Sequence, residues 1–109
     1  MSAKARHAIE TADQIGIAAI SCWELAMLER KGRIELDYPA LLWIDLALSA
    51  DRVSLLDLTP TIAVAAAGLE WENGDPADRI ILGTALVYDA AIVTRDRRMH
   101  AFDGVATIW

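Results

Sequence analysis

Short apolar segments of the kind that form β-strands alternate with helical segments along this chain, and this alternation constrains its fold more than any other feature. A strand followed by a helix and another strand forms a right-handed crossover, which places the two strands parallel in one sheet. The strand-type segments are residues 14–20, 53–58, 91–94 and 104–108; the helical segments are residues 2–12, 21–31, 38–49, 59–68 and 75–88, with a short helix or turn over 95–101. The sequence therefore predicts an α/β fold of three layers, a mostly parallel sheet flanked by helices.

Local capping signals predict where several of these helices begin and end. Thr59 and Asp75 each precede a proline, which is typical of a side-chain N-cap followed by proline at the first helical position. Gly32 follows two basic residues, as expected where a helix ends and positive charge lies near its negative pole. These boundaries support the alternation of helices and strands.

The composition is that of a single globular domain spanning residues 1–109. Hydrophobic residues make up 55% and charged residues 24% of the chain. No apolar run approaches the roughly 20 residues that a membrane-spanning helix needs, and no apolar segment follows the basic residues near the N-terminus. We therefore expect a cytoplasmic protein with no membrane partner. Cys22 is the only cysteine, which excludes an intrachain disulfide.

The net charge is acidic, with 10 basic and 16 acidic residues giving −6 at pH 7. This balance argues against a module that holds nucleic acid by charge alone. It is compatible with a nuclease whose carboxylates bind a metal, because the bound cation reverses the local sign of the charge. An acidic surface also suits a basic protein partner.

Three carboxylates occupy similar places relative to the predicted sheet. Glu24 lies just past strand 14–20, Asp78 lies in the first turn of the helix after Pro76, and Asp96 lies just past strand 91–94. Because the carboxyl ends of parallel strands meet at one edge, these side chains can converge there.

Each of these carboxylates also has a purely structural interpretation. Ser21 and Glu24 have the spacing of a capping box, which explains the glutamate without any metal. Asp78 fits a favourable carboxylate in the first turn of a helix, and Asp96 fits a cap of the short helix after it. The sequence leaves both interpretations open for each residue.

Together the carboxylates favour a metal site. Like charges gathered at one edge disfavour each other's ionisation, and a hard divalent cation with oxygen ligands resolves that repulsion. Glu24, Asp78 and Asp96 are therefore the predicted ligands of Mg²⁺ or Mn²⁺, at a site that activates water against a phosphodiester. No Ser-His-Asp or Cys-His arrangement and no phosphate-binding glycine loop competes with this prediction.

Several separate motifs resemble those of PIN-domain toxins of the VapC type. The resemblance is carried by residues 19–26 (AISCWELA), 74–85 (GDPADRIILGTA) and 91–96 (AIVTRD), and by residues 2–6 and 105–109 at the two ends. It implies an endoribonuclease toxin of a type II toxin–antitoxin module that depends on Mg²⁺ or Mn²⁺. The implied partners are an RNA substrate, an antitoxin that covers the site and a second copy in a homodimer.

The same resemblance assigns roles to individual residues. It implies that Glu24, Asp78 and Asp96 are the catalytic metal-site carboxylates, and that Asp75 is a helix cap or a nearby helper. Thr94 and Ser21 are implied to orient ligands or a water molecule.

VapC-type proteins begin with a strand that is central in the sheet and carries a further metal-binding aspartate, and residues 2–6 resemble the segment that comes after it. The resemblance thus implies a PIN-like domain that lacks its first central strand. We expect nuclease activity to be impaired and the monomer to be poorly soluble. An alternative function is a non-catalytic remnant that binds antitoxin. A receiver-like signalling module is a third possibility, disfavoured because no lysine follows Lys31.

Overall fold

The computed structural model describes residues 1–72 and 74–109. Its helices are α1 (Ala3–Thr11), α2 (Ala19–Arg30), α3 (Ala40–Leu48), α4 (Pro60–Ala67), α5 (Pro76–Tyr88) and α6 (Arg97–His100), and its strands are β1 (Ile15–Ala18), β2 (Val53–Leu56), β3 (Ile92–Val93) and β4 (Thr107–Ile108). Helices and short parallel strands alternate, which confirms the predicted α/β class. Within the described residues, no helix has the length and apolar character needed to cross a membrane.

The chain forms two compact units. Unit 1 comprises residues 1–12 and 58–109, and unit 2 comprises residues 13–57. The predictions of a single domain over residues 1–109 and of a missing first strand stay predictions.

Unit 2 is built on the parallel pair β1 and β2. Ile15 lies opposite Val53, and Ala18 lies opposite Leu56. Gly16 lets the side chain of Leu56 lie across β1, because a Cβ at that position would clash with a Leu56 methyl carbon. The parallel pairing is the one expected for strands joined by helices.

The boundary between β1 and α2 differs from the prediction. The predicted strand over residues 14–20 ends at Ala18, and α2 already begins at Ala19. The run from Ile17 to Ile20 is apolar throughout, and such a run has no periodicity that separates a strand from a buried helical turn. The far end of α2 follows the prediction: Gly32 adopts φ +70°, and its N–H donates to the Glu29 carbonyl.

Unit 1 contains the fully buried core, centred on the packing of α4 against α5. Ile62 and Leu82 are completely buried between these helices and their neighbours. Gly83 allows a close approach, since a Cβ there would lie 3.0 Å from both the Cβ and the backbone nitrogen of Ala66. Deep burial of this kind fixes α5, and with it the side chains of its first turn.

The predicted caps of α4 and α5 are confirmed. The Thr59 hydroxyl accepts from the Ile62 N–H at 3.3 Å. The Asp75 carboxylate accepts from the N–H groups of Ala77 and Asp78 at 2.9 and 3.4 Å. Both caps satisfy amide groups that have no partner inside the helix.

The second strand pair of unit 1, β3 with β4, is also parallel. His100 at the end of α6 ties these strands together through Nε2 to the Thr94 carbonyl at 2.6 Å and Nδ1 to the Thr107 hydroxyl at 2.8 Å. Because a carbonyl oxygen only accepts, Nε2 carries the proton of that bond. The contact holds α6 beside the end of β3.

Candidate functional site

Two of the predicted site carboxylates are brought together in unit 1 by one guanidinium. Nη2 of Arg98 lies 3.1 Å from Oδ2 of Asp78 and 3.1 Å from Oδ2 of Asp96. Asp78 comes from the first turn of α5, and Asp96 immediately precedes α6. The two carboxylates, 18 positions apart in the sequence, therefore share one cationic group.

Asp78 is the buried member of the pair. Its side chain is 10% exposed, because the cap at Asp75 and the packed core hold the start of α5 in place. Burial, followed by the neighbouring charge of Asp75, raises the pKa of the Asp78 carboxyl; Arg98 opposes this shift and Asp96 adds to it. The ionised form of Asp78 is thus disfavoured unless positive charge lies close by.

Asp96 is more exposed, with 29% of its side chain accessible, and is held on several sides. Its N–H donates to the Thr94 hydroxyl at 3.1 Å. Its Oδ1 accepts from the Arg98 N–H at 2.9 Å and from Nε of the same arginine at 3.3 Å. The hydrogen bonds from Arg98 lower the pKa of the Asp96 carboxyl. The predicted cap role of Asp96 is confirmed, and the same side chain also takes part in the ion pair.

The donor set of this pair suits a hard divalent cation. Both members offer carboxylate oxygens, which Mg²⁺ and Mn²⁺ prefer. The guanidinium of Arg98 shows that a positive group fits between Asp78 and Asp96. Since burial and other carboxylates penalise the ionised form of Asp78, a divalent cation there would relieve an existing electrostatic cost.

Glu24 lies in unit 2, within α2, and is half-buried. The capping-box interpretation of this residue is wrong, because the N-cap of α2 is Ala18 and Ser21 lies inside the helix. Among residues 1–72 and 74–109, no group of three or more His, Cys, Asp or Glu side chains is arranged to hold a metal ion. The meeting of Glu24 with Asp78 and Asp96 stays a prediction, as does the role of Ser21.

Asp75 has the structural role that the sequence favoured. It caps α5 through its carboxylate, and its charge contributes to the raised pKa of Asp78. Thr94 acts on Asp96 by accepting from its backbone N–H. Asp75 and Thr94 therefore help to hold Asp78 and Asp96 in place through hydrogen bonds to their backbone N–H groups.

Sequence reasoning missed the specific role of Arg79, which follows Asp78 directly. Its three nitrogens donate to four carbonyl oxygens in the segment from the end of α4 to the loop before α5: those of Ala66, Ala67, Leu69 and Trp71, at 3.2, 3.3, 2.8 and 2.8 Å. Binding of backbone carbonyl groups by a guanidinium at a helix end cannot be predicted from the sequence, because every residue has a carbonyl group.

The ring of Trp71 packs edge-on against Phe102, with ring centres 6.0 Å apart. Phe102 follows α6, and its N–H donates to the carbonyl of Met99, which is buried in the core. The loop that Arg79 holds before α5 is thus joined to the segment carrying Arg98.

A separate apolar pocket of about 210 Å³ lies within unit 2. Its lining comes from β1, α2 and α3, namely Ile17, Ser21, Cys22, Leu25, Trp43, Ile44 and Ala47. This lining places the thiol of Cys22 among apolar side chains, in keeping with a structural role for that cysteine. The pocket contains no carboxylate and is distinct in chemistry from the acidic pair.

Comparison with known proteins identifies the class of protein to which this chain belongs. The sequence model of the PIN domain matches residues 1–105, and the chain belongs to the PIN-domain family.

Among individual relatives, the chain is 40% identical over 112 aligned positions to Ribonuclease VapC22 of Mycobacterium tuberculosis, a match that covers 100% of this chain and 85% of that protein. The predicted resemblance to VapC-type proteins is thereby confirmed. The chain is also similar in fold to a chain in the crystal structure of VapBC2 from Rickettsia felis bound to a DNA fragment from its promoter. That match has a TM-score of 0.61 and 17% identity, and covers 94% of this chain and 78% of the other.

Proposed function

We propose that this protein is a Mg²⁺- or Mn²⁺-dependent endoribonuclease, the toxin of a type II toxin–antitoxin module. The observation that carries the proposal is the buried Asp78 and the adjacent Asp96, held on either side of one positive group. The relative that is 40% identical is named a ribonuclease, which supports RNA as the substrate class. The proposal places the protein in the cytoplasm with that substrate.

In this proposal Asp78 and Asp96 hold the metal ion, and Glu24 stays a predicted ligand. The cation would supply Lewis-acid stabilisation of the charge that develops on the phosphodiester during attack by water. Asp78 contributes a fixed oxygen donor because its helix start is capped and its side chain is nearly buried. Asp96 contributes a second donor, oriented by the Thr94 hydroxyl through the backbone.

The partners follow from the relatives and from the surface of α3. The similar fold from Rickettsia felis was determined as a VapBC2 assembly, which supports an antitoxin as the partner of this chain. Leu41, Leu42 and Leu46 of α3 are all exposed, at 72%, 46% and 50%. An apolar helix face of this kind favours burial against another protein, and we propose that an antitoxin or a second copy in a homodimer covers it.

The proposal is tested by RNA cleavage with added Mn²⁺ or Mg²⁺ and with a chelator. We expect cleavage by the parent chain only with the cation, and a loss of at least about 100-fold in Asp78→Asn, because the neutral amide is a poor metal ligand. Asp103→Asn is the matched control, since it removes the same charge from an exposed position in the same unit. Its cleavage rate should stay close to that of the parent chain.

Equal cleavage by the parent chain and Asp78→Asn would overturn the assignment of the site. Cleavage that persists in chelator would overturn the metal dependence. Binding of antitoxin by a parent chain that cleaves no RNA with either cation would favour the alternative function, a non-catalytic protein that binds antitoxin.

A further inference from the structure

We propose that Arg98 is an internal counter-ion that a divalent cation must displace from Asp78, so that the protein tunes its own metal affinity through this side chain. The inference rests on the proposed function, because it concerns the same pair of carboxylates. It adds a positioning residue that is not one of the ligands.

Arg98 already binds the carboxylate oxygens that a divalent cation would need. One nitrogen of Arg98 lies 3.1 Å from an oxygen of each carboxylate. A Mg²⁺ ion that bound both oxygens would lie about 2.1 Å from each of them. The cation and Nη2 of Arg98 would therefore compete for the same two carboxylate oxygens.

Arg98 makes more hydrogen bonds with Asp96 than with Asp78. It has a single 3.1 Å contact with Asp78, whereas Asp96 accepts from its backbone N–H, from Nε and from Nη2. The contact with Asp78 is thus the easier one to break. With 58% of its side chain exposed, the guanidinium has room to turn outward without disturbing the core.

An arginine at this position stabilises the protein in the absence of metal. Asp78 is nearly buried and lies close to two other carboxylates, so the protein without metal is destabilised by its charge. Arg98 offsets part of this cost before the cation arrives. The same stabilisation of the metal-free protein weakens metal binding, because the cation must replace it.

The test is calorimetric titration of Mn²⁺ into the metal-free protein without RNA, for the parent chain, Arg98→Gln, Arg98→Lys and Arg97→Gln. An exposed ion pair changes an equilibrium by roughly two- to fivefold. Since Arg98 makes two, we expect Arg98→Gln to bind Mn²⁺ about three- to tenfold more tightly than the parent. Arg98→Lys should change in the same direction by less, because its ammonium group keeps the charge but not the fork of donors.

Arg97→Gln is the matched control, since Arg97 is exposed, adjacent and of the same charge. It reports the general effect of removing one positive charge, which solvent and salt screen. A second measurement is the rise in unfolding temperature caused by saturating Mn²⁺. This rise should be larger for Arg98→Gln than for the parent chain, and it should be similar for Arg97→Gln and the parent chain.

The outcomes separate the two proposals. If Asp78→Asn abolishes Mn²⁺ binding while Arg98→Gln binds no more tightly than Arg97→Gln, the counter-ion role is overturned and the metal site stands. If neither the parent chain nor Arg98→Gln binds Mn²⁺, both proposals fail. If Arg98→Gln does not fold, Arg98→Lys decides the question. Tighter Mn²⁺ binding by Arg98→Lys than by the parent chain supports the inference, and unchanged or weaker Mn²⁺ binding overturns it.

Discussion

Nη1 of Arg79 donates a 2.8 Å hydrogen bond to the carbonyl oxygen of Trp71, so the residue after the buried Asp78 holds the loop that precedes its helix. The same guanidinium also holds the end of α4. The hydrogen bonds from this one side chain to backbone carbonyls therefore fix the approach to the acidic pair.

We expect Arg79→Ala to lower the free energy of unfolding by about 2–3 kcal/mol, because partly buried carbonyl groups lose charged donors. Arg79→Lys should recover only part of this loss, since a single ammonium nitrogen cannot reach all four carbonyls. Urea unfolding measures the effect, and Arg95→Ala, at an exposed position, is the control. An Arg79→Ala protein as stable as Arg95→Ala would contradict the structural role.

Asp78→Asn should stabilise the metal-free protein at neutral pH. Burial and the neighbouring carboxylates raise the pKa of Asp78 above its ordinary value of 3.8. A raised carboxyl pKa contributes stability below the unfolded-state pKa, and this contribution is lost as pH rises through the folded-state pKa. At pH 7 in chelator the parent chain has lost this contribution, whereas the asparagine of the variant does not ionise. The unfolding temperature of Asp78→Asn should therefore exceed that of the parent by a few degrees.

The advantage of Asp78→Asn should disappear below pH 3, where the parent carboxyl is also protonated. Asp103→Asn serves as the control at both pH values. Thermal unfolding followed by circular dichroism measures these differences. A variant less stable than the parent at pH 7 without metal would show that Arg98 outweighs the cost of burying the charge.

Asp75 can be tested as a cap and as a metal helper separately. Asparagine caps helices about as well as aspartate, whereas alanine costs about 1 kcal/mol. We expect Asp75→Asn to keep the stability of the parent chain and an RNA cleavage rate within a few-fold of the parent rate. Asp75→Ala should lose stability. A large loss of cleavage in a stable Asp75→Asn would instead assign Asp75 to the metal site.

The core of unit 1 should be sensitive to cavities. Leu82 is completely buried, so Leu82→Ala should lower the free energy of unfolding by about 2–5 kcal/mol. Val64 on α4 is 74% exposed, and Val64→Ala is the control, expected to change stability by less than about 0.5 kcal/mol. Equal effects of the two substitutions would mean that α4 and α5 do not pack as described.

The sequence predicted those parts of the fold that local chemistry determines. Thr59 and Asp75 carry a cap and a proline in adjacent positions, and both helices begin where that signal lies. The start of α2 was missed because Ala18 caps it without a side-chain hydrogen bond. A helix start without such a signal, inside an apolar run, cannot be located from periodicity.

The sequence predicted that Asp78 and Asp96 come together, but not the arginine that lies between them. Asp78 and Asp96 were singled out from their places after strands and at helix starts, and the structure brings them to one guanidinium. That Arg98, rather than one of its arginine neighbours, would lie between them depends on the tertiary placement of α6. No spacing rule in the sequence encodes a contact across 20 residues.

The most direct test of the central claim is the anomalous scattering of Mn²⁺ in crystals of this protein grown with the cation. The account predicts a peak about 2.1 Å from a carboxylate oxygen of both Asp78 and Asp96, with the guanidinium of Arg98 moved away from Asp78. A crystal saturated with Mn²⁺ that shows no peak there, with Arg98 still between the two carboxylates, would contradict it.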